Sequence, residues 1–349
     1  IPICKIVVAG QDNPVVLDFL TENLRQPAET LGDIRAQFAA YRDCNVKLMS
    51  LMDEEGLDDL IPVADEIIAR SEQSMRAAIT ALPDGRYSDG FDIDGVDVPL
   101  RVECTVTIDG DQLSVDFAGT SPQVPWPINS VLNYTQAYAR YAVKCLVDPD
   151  APNNAGSLAP VHITAPEGSL FNATPPAPVW GRHLSGHYVP AAILGAMAPI
   201  MRDHIVAESG SPLWNVYFAG RHDDDRGNFV KMFFMNGGHG ARSHGDGPIE
   251  AFEHQVPMLV REKAFIPDSG GAGKYRGGNA QRLVFEARGD NPITMTIRHE
   301  RIHYPPRGLL GGLPGRAGVD MVNGEIIEAK SRSVLESGDQ VVFETPGGG

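Results

Sequence analysis

Residues 100–117 read LRVECTVTIDGDQLSVDF. Apolar side chains occupy every second position on both sides of the dipeptide Asp109-Gly110. Successive side chains of a strand point to opposite faces, and Asp-Gly is a turn that joins two antiparallel strands. The stretch therefore predicts a β-hairpin that buries one face, and it marks the start of a β-rich region.

The chain before this hairpin has the periodicity of helices. Asn13-Pro14 is typical of a helix N-terminus, because asparagine caps the first turn and proline fits the first helical position. Apolar residues then recur at steps of three and four. They predict a buried stripe on one long helix and comprise Leu31, Ile34, Phe38, Tyr41, Leu48 and Met52. A second periodic segment runs from Leu60 to Leu82 and ends at the turn sequence Pro83-Asp84-Gly85.

Shorter elements follow, separated by loops rich in glycine and proline. We expect helices at 133–147 and 188–208 and pairs of strands at 213–235 and 281–298. The predicted fold class is α+β. A helical segment at residues 1–83 is followed by a β-rich mixed region with glycine-rich loops at residues 84–349.

Composition excludes several kinds of partner. The net charge of −16 opposes binding to nucleic acid or to an anionic membrane surface. No apolar run approaches the roughly 20 residues that span a bilayer. The four cysteines are Cys4, Cys44, Cys104 and Cys145, and they form no CxxC pair of a zinc or dithiol redox site. We therefore expect a protein of the reducing cytoplasm.

Proline, glycine and asparagine are dense between residues 152 and 177, where they predict a rigid and irregular path. Rigid loops often carry binding residues, and the side-chain amide of Asn154 is a candidate for orienting a substrate. An ordinary structural connection is the alternative interpretation of this stretch.

The segment 236–247 reads NGGHGARSHGDG. Its five glycines permit the backbone to approach a ligand closely. His239, Arg242 and Asp246 bring a base, a cation and an acid into one loop. The histidines do not have a recognised metal-ligand spacing. The segment predicts a substrate site, and a solvated turn is the alternative.

The segment 268–278 reads DSGGAGKYRGG and invites comparison with a phosphate-binding P-loop. Asp268 stands where a P-loop requires glycine, and Tyr275 follows Lys274 where serine or threonine is required. An acidic side chain would also repel phosphate. We expect this loop to hold a polar substrate through its backbone or to be a tight structural turn.

A charged run, Arg298-His299-Glu300-Arg301, follows a predicted strand whose alternation directs His299 and Arg301 to one side. The run either contributes to a site or forms a solvated strand end. The chain contains no GxSxG or GxGxxG motif, and residues 1–161 contain no histidine. A serine-hydrolase mechanism is therefore not expected.

Seven stretches occur in one order along the chain, and together they resemble the hydantoinase B/oxoprolinase family. They are GDIRAQ at 32–37, DFAGTS at 116–121, PEGS at 166–169, GGHGAR at 237–242, DSGGAGKYRGG at 268–278, PPRGLLGG at 305–312 and ETPGGG at 344–349. The resemblance covers nearly the whole chain, and the segment 268–278 is its most specific part.

The resemblance implies an A-type partner subunit that binds ATP with Mg²⁺. Together the two subunits would phosphorylate the carbonyl oxygen of a cyclic amide (a hydantoin, oxoproline or a lactam), and water would then open the ring. Assembly into a heterotetramer or a larger complex is implied as well. Relatives carboxylate ketones such as acetone or acetophenone, and the motifs do not separate the two activities. A non-catalytic scaffold subunit is an alternative of another class.

Subunits of this family continue beyond the N-terminal end of the matched region, with histidines and aspartates expected to bind a metal. We expect this chain to lack that part. Any divalent metal is accordingly assigned to residues outside the chain, and none to residues within it.

In such a subunit, Arg242 and Arg276 would stabilise the phosphorylated oxygen, because a planar guanidinium matches the oxygens of phosphate. His239 and Asp268 would transfer protons or position water. The expected substrate-binding residues are Asn154, Gly238, Gly240, Asp246 and Gly271.

Overall fold

The computed structural model describes residues 3–24, 27–210, 212–235 and 248–349. It contains helices together with several sheets, which confirms the predicted α+β class. The chain divides into two compact units, residues 1–67 and residues 68–349. The division falls within helix α3 (Ile61–Thr80), and the boundary near residue 83 stays a prediction.

The first unit holds a small hairpin and two helices: β1 (Val7–Val8), β2 (Gln11–Asp12), α1 (Pro14–Asn23) and α2 (Pro27–Glu55). The predicted helix start at Asn13-Pro14 is confirmed, and so is the long helix, as α2. The prediction that the apolar stripe of α2 is buried is wrong, since none of its described residues is buried and Tyr41 is 67% exposed. Periodicity gathers apolar residues on one face, but burial also needs a covering surface, which the described part of this unit does not provide.

Residues 68–349 contain two hydrophobic cores. The first is built on a sheet of order β3-β4-β5-β6, with strands β3 (Gly85–Ile93), β4 (Leu100–Asp109), β5 (Gln112–Asp116) and β6 (Val161–Thr164). The predicted hairpin is confirmed as β4–β5, in which Val106 lies opposite Val115 and both side chains are fully buried. Met75 and Ile79 of α3 belong to the same core, as their spacing predicts.

Helices cover this sheet. The helix predicted at 133–147 is confirmed as α4 (Leu132–Val147), and a short α5 (Ala155–Leu158) precedes β6. The helix predicted at 188–208 forms only in part, as α6 (His183–Gly186) and α7 (Val189–Met197). Helix α7 ends shortly before Pro199, because proline has no N–H to donate to the helical ladder and its ring crowds the preceding turn.

The second core lies between a sheet of order β14-β11-β7-β8 and a sheet of order β13-β12-β15-β10-β9. The phenylalanines of the two inner faces meet edge to face; the rings of Phe233 and Phe285 lie 5.3 Å apart at 81°. The elements are β7 (Trp214–Arg221), β8 (Asn228–Met235), α8 (Ile249–Gln255), β9 (Met258–Phe265), β10 (Gln281–Ala287), β11 (Ile293–Ile297), β12 (Val319–Val322), β13 (Glu325–Ile326), β14 (Arg332–Leu335) and β15 (Gln340–Glu344).

The two predicted strand pairs have different outcomes. The pair at 213–235 is confirmed as β7–β8. The segment 281–298 does form two strands, but the prediction that they pair is wrong, since β10 and β11 lie in different sheets. In the connection between β10 and β11, the backbone N–H groups of Asp290 and Asn291 donate hydrogen bonds to the Asp223 carboxylate, at 3.1 and 3.2 Å. These bonds fix the path of the chain from one sheet to the other. Alternation shows that each strand buries one face, but it does not identify the neighbouring strand.

Charged side chains are buried where the two cores meet. The carboxylate of Glu208 accepts hydrogen bonds from Arg301 at 2.7 Å and from Arg307 at 2.6 Å. Arg307 also donates to Asp89 of β3 at 2.7 Å. Arg301 is only 2% exposed, and its guanidinium lies 4.4 Å from the centre of the Tyr188 ring. We call these residues the Glu208 network.

Two further contacts fix the chain that follows β11. The carboxylate of Asp94 accepts hydrogen bonds from three consecutive backbone N–H groups, those of residues 302–304, at 2.7 to 3.0 Å. The hydroxyl of Tyr188 donates to the buried carboxyl group of Glu300 at 3.0 Å. The segment carrying Arg301 and Arg307 is therefore bound to the first core by both its backbone and its side chains.

The pKa of the Glu208 carboxyl group reflects two opposed effects. Burial acts to raise this pKa, but the guanidinium groups of Arg301 and Arg307 bring it below its ordinary value. The resulting stabilisation is fully present above the pKa of the same group in the unfolded chain. It is lost as the pH falls through the pKa of the folded state.

We expect Glu208→Gln to lower the free energy of unfolding by about 3–5 kcal/mol, because the buried guanidinium of Arg301 loses its anionic partner. Urea denaturation measures the change. The control is Asp224→Asn, which removes an exposed ion pair with Arg226 and should leave unfolding almost unchanged. Equal effects of the two substitutions would contradict a supporting role for the Glu208 network.

Three glycine-rich stretches, residues 268–278, 305–315 and 347–349, lie against one another in the second unit. The N–H of Gly271 donates to the carbonyl of Gly348 at 2.7 Å, and the N–H of Leu313 donates to the carbonyl of Ala272 at 2.8 Å. We call this arrangement the glycine crossing. Its backbones approach too closely for side chains: a Cβ at Gly277 would lie 2.1 Å from the carbonyl oxygen of Gly348.

Gly277→Ala should therefore destabilise the protein by about 1–3 kcal/mol, since backbone atoms on both sides would have to move apart. Thermal and urea unfolding measure the loss. Gly273→Ala in the same loop is the matched control, because its Cβ would come no closer than 3.2 Å to any neighbouring atom. A loss as large for Gly273→Ala as for Gly277→Ala would show that close backbone contact is not the reason.

Candidate functional site

A cavity of about 440 Å³ opens beside the glycine crossing. Its wall is formed by residues 271–275, residues 308–312 and Gly349, together with side chains that include Arg202 and Asp203. The volume falls within the range of roughly 300–1,000 Å³ that is typical of small-molecule sites. Glycines are frequent among the lining residues, so backbone N–H and C=O groups form part of the wall beside a few charged side chains.

The sequence predicts that the loop at 268–278 either holds a polar substrate through its backbone or is a tight structural turn. A Cβ at Gly271 would lie 2.1 Å from the carbonyl oxygen of Leu313, so this glycine is required by contact between two backbones. Gly271 also lines the cavity, where its role in substrate binding stays a prediction.

Asp268 and Arg276, the two predicted catalytic residues of the described loops, contact each other. The Arg276 guanidinium donates to the Asp268 carboxylate. The Arg276 and Asp268 side chains are 54% and 85% exposed, respectively, and neither lines the cavity. Asp268 has a φ of 58°, in the left-handed region that residues other than glycine rarely adopt. Strained backbone is concentrated at functional sites, which singles out Asp268 within this loop.

Asn154 has a structural task in the described fold. Its side-chain oxygen accepts hydrogen bonds from the N–H groups of Gly156 at 2.9 Å and Ser157 at 3.2 Å, and it thereby caps α5. Its side-chain nitrogen donates to the hydroxyl of Ser71 at 2.9 Å. Both ends of the amide are engaged within the protein, and its role in orienting a substrate stays a prediction.

The remaining predicted site residues lie outside the described part of the chain. They belong to the segment 236–247, which follows β8, and comprise Gly238, His239, Gly240, Arg242 and Asp246. Their roles stay predictions. The structure thus brings Asp268, Arg276 and Gly271 into one loop, and Asn154 is bound to a different element.

The charged run at residues 298–301 is neither a solvated strand end nor part of the cavity wall. Strand β11 ends at Ile297, and the side chains of His299 and Arg301 are buried. The two imidazole nitrogens of His299 lie 2.9 Å from the Asp320 carboxylate and 3.0 Å from the backbone carbonyl of Asn215. Its ring stacks on Trp214, with centres 4.1 Å apart. No sequence signal connects His299 to Asp320, because the two residues belong to no common motif.

Two features of the described residues bear on cofactors and location. Among these residues, no three His, Cys, Asp or Glu side chains come together in a way that would hold a metal ion. None of the described helices combines the length and the apolar character needed to cross a bilayer.

Comparison with known proteins provides the context for this geometry. The chain is 32% identical, over 99% of its length, to a Pseudomonas protein provisionally named as the B component of a D-/L-hydantoinase. The solved ATP-dependent caprolactamase of Pseudomonas jessenii has the same fold, with a TM-score of 0.83 over 100% of this chain at 22% identity. A nucleotide-free acetone carboxylase also has this fold, with a TM-score of 0.84 over 99% of the chain at 15% identity.

The chain is shorter than these proteins. It spans 63% of the hydantoinase component, 66% of the caprolactamase chain and 55% of the acetone carboxylase chain. The family model described as hydantoinase B/oxoprolinase matches residues 1–349, which include both cores and the glycine crossing. The chain therefore belongs to the hydantoinase B/oxoprolinase family.

Proposed function

We propose that this chain is part of the B-type subunit of an ATP-dependent enzyme that opens a cyclic amide by hydrolysis. The observation that carries the proposal is the family match along all 349 residues. Within the string most specific to the family, residues 268–278, the central residues 271–275 line a cavity of small-molecule size. The substrate class would be a hydantoin, oxoproline or a lactam.

The proposed reaction begins with transfer of the terminal phosphoryl group of ATP to the carbonyl oxygen of the amide. Water then adds to the carbonyl carbon, and cleavage of the C–N bond releases the ring nitrogen as an amine and leaves an acyl phosphate. A second water attacks the acyl carbon, and phosphate leaves with the original carbonyl oxygen. The products are ADP, phosphate and a ring-opened acid whose two new carboxylate oxygens both come from water. In this proposal, Asp268 positions or deprotonates the water, and Arg276 stabilises the phosphorylated oxygen by paired hydrogen bonds.

ATP is assigned to an A-type partner subunit. The one P-loop-like stretch of this chain does not fit a nucleotide, because the exposed carboxylate of Asp268 stands at its first position. A partner also suits the first unit, where exposed apolar side chains such as Tyr41, Val46 and Leu48 lie on helix α2. We infer a heteromeric complex, a heterotetramer or larger, that buries this face.

The proposed location is the cytoplasm. All four cysteines are free thiols, and Cys4, Cys44 and Cys145 are exposed. Exposed thiols are typical of proteins that remain in a reducing compartment.

Ketone carboxylation is the second candidate function. The observation that favours it is the fold shared with acetone carboxylase, at a TM-score of 0.84. Both activities require activation of a carbonyl oxygen, and they differ in the group that reacts next.

The test is ATP hydrolysis by the full-length protein purified together with its A-type companion. We expect hydantoin, 5-oxoproline or ε-caprolactam to stimulate ATP hydrolysis, with one ring-opened product formed for each ATP consumed. ATP hydrolysis by the B-type protein without its companion, or no stimulation by any cyclic amide, would contradict the proposal. Stimulation by acetone with bicarbonate, accompanied by acetoacetate, would assign the carboxylase activity instead.

A substitution at Asp268 separates catalysis from scaffolding. Glycine accepts a positive φ at no cost, so Asp268→Gly should leave the melting temperature of the complex unchanged or raise it. Turnover should fall by about 10-fold or more, as expected when a group that acts on protons is removed. The control is Ala9→Gly, which relieves a positive φ of 50° far away in the sequence and should change neither quantity. A non-catalytic scaffold subunit would retain full turnover with Asp268→Gly.

A further inference from the structure

A second group of cationic and aromatic side chains lies in the unit formed by residues 68–349, and none of its members lines the cavity at the glycine crossing. We call it the Arg182–Arg298 cluster. It comprises Tyr134, Tyr138, Trp180, Arg182, His183, His187, Asn215, Tyr217 and Arg298. Helix α4, the segment around α6, strand β7 and the end of β11 contribute these residues.

Aromatic rings hold both guanidinium groups of the cluster. The guanidinium of Arg298 lies 4.6 Å from the centre of the Trp180 ring, and that of Arg182 lies 5.4 Å from the centre of the Tyr134 ring. Trp180 in turn contacts Tyr217, with ring centres 5.7 Å apart. A guanidinium that lies over an aromatic ring keeps its N–H groups in its own plane. These groups point away from the ring and can still donate to an acceptor.

Neither guanidinium is neutralised by the described residues. Within 4.0 Å no described carboxylate pairs with Arg182 or Arg298, whereas Arg301 and Arg307 both pair with Glu208. The contrast matters in a chain with 45 acidic and 29 basic side chains, where carboxylates are abundant. Two positive charges thus act on the same histidine, His183, without described counter-charges, which is the electrostatic requirement of an anion site.

The histidine between these charges remains neutral. Burial, followed by the positive charges of Arg182 and Arg298, lowers the pKa of His183 to about 4. At neutral pH its ring can therefore exchange a hydrogen bond with a ligand without adding charge. The rings of His183 and His187 lie 6.0 Å apart, and His187 is fixed by the hydroxyl of Tyr138 at 3.0 Å.

The side chain of Asn215 independently indicates that this cluster lacks a hydrogen-bonding ligand. Its side chain is 2% exposed, and its amide nitrogen lies 3.2 Å from the Nε2 atom of His183. The side-chain oxygen has no hydrogen-bond partner among the described residues. If the side-chain amide of Asn215 were turned by 180°, its nitrogen would take the position of the oxygen and would be the atom without a partner. A buried polar atom in this condition is unusual in a folded protein and calls for a ligand or an ordered water.

We propose that the Arg182–Arg298 cluster is a binding site for the oxyanion group of a small organic ligand, a carboxylate or a phosphate, whose flat portion lies against Trp180 and Tyr217. The two guanidinium groups bind the anion. The neutral imidazole of His183 and the amide of Asn215 contribute hydrogen bonds. The site is distinct from the cavity at the glycine crossing, and the proposal does not depend on the proposed enzymatic activity.

Isothermal titration of the full-length protein with benzoate tests the site, because benzoate combines a carboxylate with a flat ring. We expect saturable binding of benzoate and none of benzamide, its neutral counterpart of the same shape. Phenyl phosphate distinguishes the two kinds of anion: whichever of the two anions binds more tightly identifies the chemistry of the natural ligand. Absence of saturable binding for both anions, or equal binding of benzoate and benzamide, would overturn the proposal.

Substitutions assign the binding to these residues. Arg182→Gln and Arg298→Gln should each weaken binding of the preferred anion by about 10- to 100-fold, the usual effect of losing a charge-assisted hydrogen bond. Arg182 is exposed, so Arg182→Gln should fold normally, which circular dichroism verifies. The matched control is Arg261→Gln, which removes an exposed arginine paired with Glu286 and should leave the affinity unchanged. Unchanged affinity in Arg182→Gln would place the bound anion elsewhere and refute the assignment.

Discussion

The carboxylate of Glu208, shared by Arg301 and Arg307, is the interaction on which the larger unit depends. Arg301 and Arg307 come from the segment after β11, and Arg307 continues the network to Asp89 on β3 of the other core. A buried ion pair adds little to the free energy of unfolding when it is compared with apolar residues of similar size. Removal of only one partner, however, lowers that free energy strongly, because the other charge stays buried alone. The network therefore acts as a constraint, because an arrangement of the two cores that separated these charges would leave them buried without partners.

The glycine crossing depends on that docking. Gly349 donates its N–H to the backbone carbonyl of Glu208 at 2.7 Å, so the last stretch of the chain is bound to the residue at the centre of the network. The backbones of the crossing are in direct contact, and the crossing includes the exposed Asp268, which has a positive φ, and its partner Arg276. Close packing of this kind fits the requirement that the proposed catalytic groups be held in place before the substrate arrives.

The features that sequence predicted well are local. The β4–β5 hairpin follows from alternation around one Asp-Gly turn, and α4 follows from a single apolar period. Features that depend on distant partners were missed: Glu208 and Arg301 are 93 residues apart in sequence, and no pattern links them. The prediction that the apolar stripe of α2 is buried was wrong for a related reason. Periodicity shows that apolar residues share one face of the helix, but it does not show what covers that face. At the candidate site, the glycines of residues 268–278 mark a loop that lines the cavity, but their backbone contacts depend on residues 312–313 and 347–349, far away in sequence.

In the proposed reaction a carbonyl oxygen is activated by phosphorylation, and the fate of that oxygen shows whether this step occurs. The measurement uses a cyclic amide labelled with ¹⁸O at the carbonyl, turned over with ATP by the complete complex, followed by mass spectrometry of the released phosphate. We expect each phosphate to carry the labelled oxygen and the new carboxylate to take both of its oxygens from water. Label retained entirely in the carboxylate, with none in phosphate, would contradict this step.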